Sequence, residues 1–191
     1  MAEVMPYTCQ DIARLANIWT VVKGLGQGTY LEVGSYQGGT ALHICNAMPQ
    51  VGSKFYCVDP FETGSFEHVH SWEKKPAEFT DTRQDAVVAL LSHKHFAQVV
   101  PGFFPSAIEP MNLKDIVFCH LDVNMYEATR KSLDFLVQRI APHGCIIVDD
   151  YGHSLTPGVN RAVEEFLAEE PHFRSIPLFP CQVLLLAKGL R

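Results

Sequence analysis

Short apolar segments alternate with amphipathic segments along the chain, and this alternation restricts the fold more than any other feature. The apolar segments are four to six residues long, and the amphipathic ones place apolar residues three or four positions apart. The first pattern predicts buried strands, and the second predicts helices. Strands that alternate with helices form a parallel sheet with helices on both faces. The sequence therefore predicts an α/β fold with a doubly wound, mostly parallel sheet.

Seven strands are predicted, and the last two should form an antiparallel pair because only a short connection with prolines separates them. The predicted strands are Tyr30–Val33, Lys54–Val58, Ala97–Val100, Ile116–Leu121, Cys145–Val148, Phe173–Ile176 and Val183–Ala187. A first helix is predicted within residues 10–23, and its inward face should carry Ile12, Leu15, Ala16, Trp19 and Val22. A later helix should carry its inward face from Tyr126 to Ile140. The last helix should begin at Pro157, with Thr156 as its N-cap.

The length and charge of the chain limit its domain count and its partners. The 191 residues predict a single domain, 1–191, with residues 1–28 as an N-terminal helical cap. Residues 61–79 lack a clear period and are predicted to be a lid or partly helical. A net charge of −6 without a basic run argues against nucleic-acid binding.

Membrane insertion and secretion are also not expected from this sequence. No segment approaches the roughly 18 apolar residues that a membrane span needs. The amino terminus carries acids where a signal peptide would be basic and then apolar. We therefore expect a cytoplasmic protein whose cysteines are reduced and mostly buried.

Acidic residues cluster at the ends of the predicted strands. Glu32 lies near the end of the first strand, whereas Asp59, Asp122 and the pair Asp149–Asp150 directly follow three others. In a parallel sheet, ligands bind beyond the carboxyl ends of the strands. Packing does not require acids at these positions. We therefore expect them to belong to a common site.

A glycine-containing turn, Gly34-Ser35-Tyr36-Gln37-Gly38-Gly39, follows the first strand. Its glycines let the main chain approach a ligand closely, but it has the spacing of neither a dinucleotide site nor a phosphate-binding loop. Asp59 lies where an acid can accept hydrogen bonds from both hydroxyls of a ribose, and Glu32 and Asp122 suit a cationic group. A ligand with a ribose, an ammonium and a sulfonium meets these requirements, and S-adenosylmethionine is such a ligand.

The predicted cofactor-binding residues come from four strand ends. They are Glu32, Gly34, Ser35, Tyr36, Gly38, Asp59, Gly102, Phe103 and Asp122. Phe103 is included because an aromatic ring there can stack on an adenine, although packing in the core explains such a ring equally well.

Six segments of the chain occur together in one order, and their sequences are YLEVGSYQGGTAL, FYCVDPF, PGFFPSAI, HLDVNMYEATRKSL, GCIIVDDYGH and PGVNRAVEEFL. From about residue 29 to the carboxyl terminus, the chain thereby resembles the macrocin O-methyltransferase family. The resemblance implies a class I S-adenosylmethionine-dependent methyltransferase with a seven-stranded, Rossmann-like sheet and an antiparallel last strand. It also implies methyl transfer to a hydroxyl of a small molecule, which in several members is a natural-product sugar.

The same resemblance implies a divalent metal, usually Mg²⁺, with Asp122, Asp149 and Asp150 as its ligands. Clustered carboxylates suit Mg²⁺, which keeps some of its waters and leaves positions for substrate oxygens. Adjacent carboxylates also repel each other when no cation is present. The alternative is that Asp149 caps a turn and Asp150 is solvated.

The catalytic base is where this chain departs from the family pattern. The usual motif has a second acid two residues after the first metal ligand, but this chain has Asn124 there. An amide does not accept a proton at neutral pH. His153, three residues after Asp150, is the predicted substitute, and metal coordination at Asp122 is the other way to acidify a hydroxyl. His120 is the weaker candidate because it lies inside a strand.

The sequence thus predicts a Mg²⁺-assisted O-methyltransferase that acts on a hydroxylated small molecule. A methyltransferase-like module that binds the cofactor without turnover is the alternative. A nucleotide-dependent oxidoreductase on a similar sheet is a third reading, against which the glycine spacing argues. The sequence identifies neither the methyl acceptor nor the oligomeric state, and it is compatible with a homo-oligomer.

Overall fold

The computed structural model describes residues 2–61, 70–73 and 81–188. Most of the predicted lid, residues 61–79, therefore lies outside the described residues. The helices are α1 Ile12–Lys23, α2 Gly39–Ala47, α3 Gln84–Leu91, α4 Tyr126–Val137 and α5 Pro157–Glu169. The strands are β1 Thr29–Val33, β2 Lys54–Asp59, β3 Ala97–Pro101, β4 Ile116–Leu121, β5 Ile140–Asp149, β6 Phe173–Leu178 and β7 Gln182–Ala187.

The seven strands form one sheet in the order β3-β2-β1-β4-β5-β7-β6. The pairs among β1 to β5 are parallel, whereas β7 runs antiparallel to both β5 and β6. The predicted doubly wound sheet with a reversed hairpin at its end is confirmed. The strand order reverses beside β1, between β1 and β4, and such a reversal point is where ligands bind in open α/β sheets.

Each face of the sheet carries its own apolar core. Alternate residues of the strands point to opposite faces. On one face the strands pack against α1, α2 and α3, through residues such as Leu15, Ile18 and Val87. On the other face they pack against α4 and α5, through residues such as Leu133 and Phe166. Most strand residues are therefore apolar on both faces.

Two local predictions are corrected by the structure. The inward face of α1 is formed by Leu15, Ile18 and Val22, whereas Ile12, Ala16 and Trp19 are exposed, Ile12 at 60% and Trp19 at 38%. The buried stripe packs into the core that α1 shares with α2, and the Trp19 ring lies beside that core, 5.1 Å from the ring of His43. Ile140 does not continue α4, because the helix ends at Val137 and Ile140 begins β5.

The register of the four inner parallel strands determines where their ends lie. Val58 pairs with Val33, Val33 pairs with Leu121, and Leu121 pairs with Val148. The next residue in each strand or in the turn after it belongs to one further row across the sheet edge. That row consists of Asp59, Gly34, Asp122 and Asp149. Strand pairing alone therefore aligns the acids that the sequence singled out.

Gly34 is the one member of this row without a side chain, and the geometry excludes any other residue there. Its φ of +85° lies in the left-handed region that glycine favours. A Cβ atom at this position would lie 1.9 Å from the carbonyl oxygen of Asp122. The Asp122 N–H in turn donates to the carbonyl of Val33 at 2.9 Å. The ends of β1 and β4 therefore touch through their main chains.

The longest described helix, α5, has 13 residues. In the described ranges, no helix combines the length and the apolar composition that crossing a membrane requires.

We expect Gly34→Ala to lower the free energy of unfolding by at least about 2 kcal/mol, because it adds both backbone strain and a clash with main chain. Gly26→Ala is the matched control, since Gly26 has no atom within 4 Å of an added Cβ, and it should change stability by less than about 0.5 kcal/mol. Urea denaturation measures both. Equal effects of the two substitutions would contradict the close approach of β1 and β4.

Candidate active site

Asp59 anchors the glycine-containing turn that follows β1. Its Oδ2 accepts the main-chain N–H groups of Ser35 at 2.7 Å and Tyr36 at 3.0 Å, and its Oδ1 accepts that of Phe61 at 2.6 Å. Burial raises the pKa of the Asp59 carboxyl, and these three N–H groups partly offset that rise. The carboxylate therefore holds the turn in place before it meets any ligand.

The remaining predicted cofactor-binding residues surround this turn. Gly38, with a φ of +84°, precedes α2 and occupies its N-cap position. The hydroxyl of Tyr36 donates to Asp81 at 2.7 Å, and this bond raises the pKa of Tyr36 to about 12. Gly102 donates its N–H to the main-chain carbonyl of Asp59 at 2.9 Å, and the half-buried Phe103 follows it. The structure thus brings the ends of β1, β2 and β3 together.

The three predicted metal ligands lie in one acid cluster, which we define as Asp122, Asp149 and Asp150. Two of its members share a donor, because Gln10 Nε2 lies 2.8 Å from Asp122 Oδ2 and 2.8 Å from Asp149 Oδ2. Gln182 of β7 donates to Asp149 Oδ1 at 2.8 Å. The predicted convergence of β4 and β5 is therefore present, and two glutamines bind it from either side.

Arg14 of α1 supplies the positive charge of this cluster. Its Nη1 lies 2.6 Å from Asp149 Oδ2 and 2.9 Å from Asp150 Oδ1. Burial lowers the pKa of the guanidinium, but the two aspartates more than offset that effect, and the pKa is raised. The alternative expectation of a solvated Asp150 does not fit this geometry, because Asp150 is half-buried and paired with Arg14.

The electrostatics of the cluster are those of crowded carboxylates. Burial raises the pKa of Asp122 well above its ordinary value, and the charge of Asp149 raises it further. Burial and Asp149 also raise the pKa of Asp150, while Arg14 and His153 act in the opposite direction. The site therefore favours any additional positive charge near Asp122.

A buried pair formed by Glu32 and His120 lies beside the cluster. The two residues are paired in register on β1 and β4, and His120 Nδ1 lies 3.3 Å from Glu32 Oε1. Burial lowers the pKa of His120, yet the hydrogen bond and charge of Glu32 outweigh this and raise it. Within the described ranges, His120 Nε2 and Glu32 Oε2 are buried without a hydrogen-bond partner. His120, which the sequence ranked as a weak candidate, therefore has a free ring nitrogen beside the acids.

Asn124 and His153 occupy loops at the same sheet edge. Asn124 follows β4 with a φ of +63°, a conformation that asparagine tolerates better than most residues. His153 donates its N–H to the carbonyl of Asp150 at 3.1 Å, and its ring is close enough to lower the pKa of the Asp150 carboxyl. Both predicted catalytic residues therefore lie at the rim of the acid cluster.

Residues 70–73 cover the start of α4. Glu73 Oε1 accepts the main-chain N–H of Tyr126 at 2.7 Å, and the Trp72 ring meets the Tyr126 ring edge-on at 5.6 Å. A Cβ on Gly158 would lie 2.0 Å from Glu73 Oε1. The Trp72 ring therefore packs against Tyr126, and the guanidinium carbon of Arg161 of α5 lies 5.1 Å from the centre of the Trp72 ring.

Sequence reasoning missed Gln10, Arg14 and Gln182. Gln10 lies two residues before α1 begins, and Arg14 lies in the first turn of α1, directly before the buried Leu15. The signal available in the sequence was that Gln10 and Arg14 are polar and lie next to the apolar stripe of α1, where their side chains can reach the sheet. Gln182 carried none, because its partner Asp149 is apparent only from the pairing of β5 with β7.

The residues present fit a divalent cation. One ligand atom from each of His120, Asp122 and Asp149 lies within 4.8 Å of the other two. Carboxylate oxygens are typical ligands of Mg²⁺ and Mn²⁺, and Gln10 Oε1 is a buried carbonyl oxygen without a hydrogen-bond partner in the described part of the chain. His120 belongs to this set beside the two aspartates, and Asp150, the third ligand that the sequence predicted, contacts Arg14 next to it.

Comparison with known proteins shows that the segment with most of the parallel strands matches a protein family. The profile of a family described as "Methyltransferase domain" matches residues 31–151. A curated relative from Streptomyces olivaceus, 8-demethyl-8-(2,3-dimethoxy-alpha-L-rhamnosyl)-tetracenomycin-C 4'-O-methyltransferase, is 24% identical over 166 residues. The matching region covers 76% of this chain and 62% of that relative, so the chain spans less than two thirds of its length.

Solved structures share the fold at low sequence identity. The O-methyltransferase NovP is 21% identical with a TM-score of 0.79, and the match covers 95% of this chain and 82% of NovP. The O-methyltransferase TomG from Streptomyces achromogenes, solved in complex with SAM, is 12% identical with a TM-score of 0.68. That match covers 95% of this chain and 82% of TomG.

Proposed function

Since the chain belongs to the methyltransferase domain family, we propose that it transfers a methyl group from S-adenosylmethionine to a hydroxyl of a small molecule. A natural-product sugar is the first acceptor class to test, because the name of the Streptomyces olivaceus relative describes a rhamnosyl-bearing tetracenomycin. The observation that carries the proposal is the aligned row of Asp59, Gly34, Asp122 and Asp149.

The donor is proposed to bind along the ends of β1, β2 and β3. S-Adenosylmethionine supplies an electrophilic methyl group on a sulfonium. Asp59 uses three of roughly four lone-pair sites for main-chain N–H groups, which leaves one for a ribose hydroxyl. Gly34 keeps side chains away from the point where β1 and β4 touch. Gly38, Gly102 and Phe103 would line the remainder, together with Ser35 and Tyr36.

The cationic end of the donor is proposed to face Glu32 and Asp122. Glu32 is fully buried and Asp122 is half-buried, and burial is the first cause of the raised pKa of each carboxyl. A positive charge nearby would favour their ionised forms. Asp122 is also one of the proposed metal ligands, so the methyl group and the acceptor hydroxyl would meet at the same sheet edge.

The acid cluster is proposed to hold Mg²⁺, with Asp122 and Asp149 as the principal ligands and Asp150 at the rim. A bound Mg²⁺ lowers the pKa of a hydroxyl that it binds and helps to orient that hydroxyl. Asp149 is held in position by Gln182, and Asp122 by the contact of its main chain with β1. The chain therefore provides preformed oxygen ligands.

His153 is proposed to accept the hydroxyl proton. Asn124 occupies the position of the usual acid and has no basic atom at neutral pH. His153 lies at the rim beside Asp150, whereas the ring of His120 is buried and hydrogen-bonded to Glu32. A base at the rim can reach an acceptor that enters from solvent.

A module that binds the cofactor without turnover is the second candidate function. Arg14 already balances part of the negative charge of the acid cluster, and Gln10 donates a hydrogen bond to it, so that the cluster is stabilised without a cation. Asn124 at the position of the usual acid also favours this function. Tight donor binding without methyl transfer to any hydroxylated acceptor would support this reading.

Asp59→Asn should weaken S-adenosylmethionine binding by at least about tenfold, because an amide nitrogen cannot accept the N–H groups that the lost oxygen accepted. Calorimetric titration gives the affinity, and circular dichroism checks the fold. Asp115→Asn, at an exposed loop position before β4, is the matched control and should bind normally. A folded Asp59→Asn variant of normal affinity would remove Asp59 from the donor site.

Methyl transfer should require a divalent cation. We expect EDTA to abolish the formation of S-adenosylhomocysteine with a panel of hydroxylated acceptors and Mg²⁺ to restore it. Asp150→Asn should raise the Mg²⁺ concentration that gives half-maximal activity and leave S-adenosylmethionine affinity unchanged. Full activity in excess EDTA would exclude metal assistance without excluding methyl transfer.

His153→Ala should lower turnover by roughly 10²–10⁴-fold with little change in donor affinity. His93→Ala, at an exposed position on the loop before β3, should leave turnover unchanged. A fully active His153→Ala variant, together with a faster Asn124→Asp variant, would instead assign the step to metal activation alone.

A further inference from the structure

Helix α1 extends a fixed positive charge into the acid cluster. Arg14 has a side chain only 15% exposed, and its Nη1 bridges Asp149 Oδ2 and Asp150 Oδ1. The same helix is anchored by Leu15, Ile18 and Val22, which are fully buried. Arg14 therefore cannot leave the cluster by a movement of α1 unless this core opens, although its side chain can rotate.

The start of α1 is also fixed at its N-cap. Asp11 Oδ1 accepts the main-chain N–H of Arg14 at 3.0 Å, as an N-cap residue does. Asp11 Oδ2 lies 3.5 Å from Arg14 Nε. The guanidinium is thus held from both sides, by the cap residue and by the acids of β5.

The acids of β5 have few lone pairs left for a further ligand. Asp149 Oδ2 accepts both Arg14 Nη1 and Gln10 Nε2, while its Oδ1 accepts Gln182. An ionised carboxylate has roughly four lone-pair sites. A cation that binds Asp149 Oδ2 therefore has to displace Arg14 or Gln10. A cation that also binds Asp150 Oδ1 shares that oxygen with the guanidinium of Arg14, whose positive charge opposes it.

Two buried atoms nevertheless point to a ligand at this place. His120, 1% exposed, and Gln10, 6% exposed, each have one side-chain atom without a hydrogen-bond partner among the described residues. These atoms, His120 Nε2 and Gln10 Oε1, are a nitrogen and an oxygen able to bind a metal. Buried polar atoms seldom remain unpaired. The contacts of Arg14 and Gln10 therefore do not complete the site.

We infer that Arg14 is an internal competitor of the divalent cation: its guanidinium and a metal ion bind the same oxygens of Asp149 and Asp150, so that Arg14 determines the metal affinity of the protein. The inference rests on the proposed metal site. Without metal, the positive charge of Arg14 balances part of the negative charge of Asp149 and Asp150. With metal, the side chain of Arg14 would leave the shared oxygens, and Gln10 could turn its unpaired Oε1 towards the ion.

The test measures Mn²⁺ binding by electron paramagnetic resonance of the free ion, in the absence of any substrate. Arg14→Gln removes the charge and keeps a polar side chain, and we expect it to tighten Mn²⁺ binding at least tenfold. Arg174→Gln on exposed β6 changes the net charge equally, and we expect it to leave the affinity within about twofold because that charge is exposed and screened by salt. Asp149→Asn should abolish binding in every background.

Arg14→Lys provides a second measurement if Arg14→Gln folds poorly. An ammonium keeps the charge but loses the planar, multi-donor geometry of the guanidinium. We expect its Mn²⁺ affinity to lie between those of the wild type and Arg14→Gln. In thermal unfolding, Arg14→Gln should be less stable than the wild type without metal and should gain more stability from Mn²⁺.

The outcomes separate this inference from the proposed function. Equal or weaker Mn²⁺ binding by Arg14→Gln, with binding abolished by Asp149→Asn, would overturn the competition and leave the metal site intact. Absence of Mn²⁺ binding in all variants would overturn both the competition and metal assistance, and Arg14 would then be a permanent structural ion-pair partner. Methyl transfer itself is tested separately, by the formation of S-adenosylhomocysteine.

Discussion

Crowded negative charge at the ends of β4 and β5 is the constraint on which the site depends. Asp122, Asp149 and Asp150 lie together, with Glu32 behind them. Burial removes the water that would otherwise screen their repulsion. The chain compensates with the charge of Arg14 and the N–H groups of Gln10 and Gln182. Because these groups come from α1, from the residue two positions before it and from β7, these segments have to assemble around the central strands before the acids are stabilised.

This arrangement gives α1 a role beyond covering the sheet. The buried stripe of Leu15, Ile18 and Val22 attaches the helix to one core, and that attachment holds Arg14 at the acids. A substitution in the stripe would therefore change the charge balance of the site as well as the packing of the core. The site is consequently coupled to the stability of the amino-terminal segment, although no residue of that segment belongs to the motifs that mark the fold.

Most of the fold could be predicted, because the signals for it are local. Each strand is a short apolar run, and each helix shows its own period. Errors occurred where tertiary packing chose between equivalent local patterns. Trp19 and Ile12 fit an inward face as well as Ile18 does, but only Ile18 of the three is fully buried, while Ile12 is exposed and Trp19 packs its partly exposed ring against His43 of α2. Ile140 fits a helical period, but Ile140 pairs with Ile116 of β4.

The sequence by itself determined the order of elements and the acids at the strand ends, since both depend on the residue types and spacing within short segments. Only the tertiary structure decided that Asp59 binds the main chain of the turn after β1, that a ring nitrogen of His120 lies near Asp122 and Asp149, and that Arg14 is bound to Asp149 and Asp150. The contact of Asp59 with Ser35 joins residues 24 positions apart in the chain, and the contact of Arg14 with Asp150 joins residues 136 positions apart. No local pattern encodes them, because strand register and the packing of α1 bring the residues together only when the whole sheet has formed.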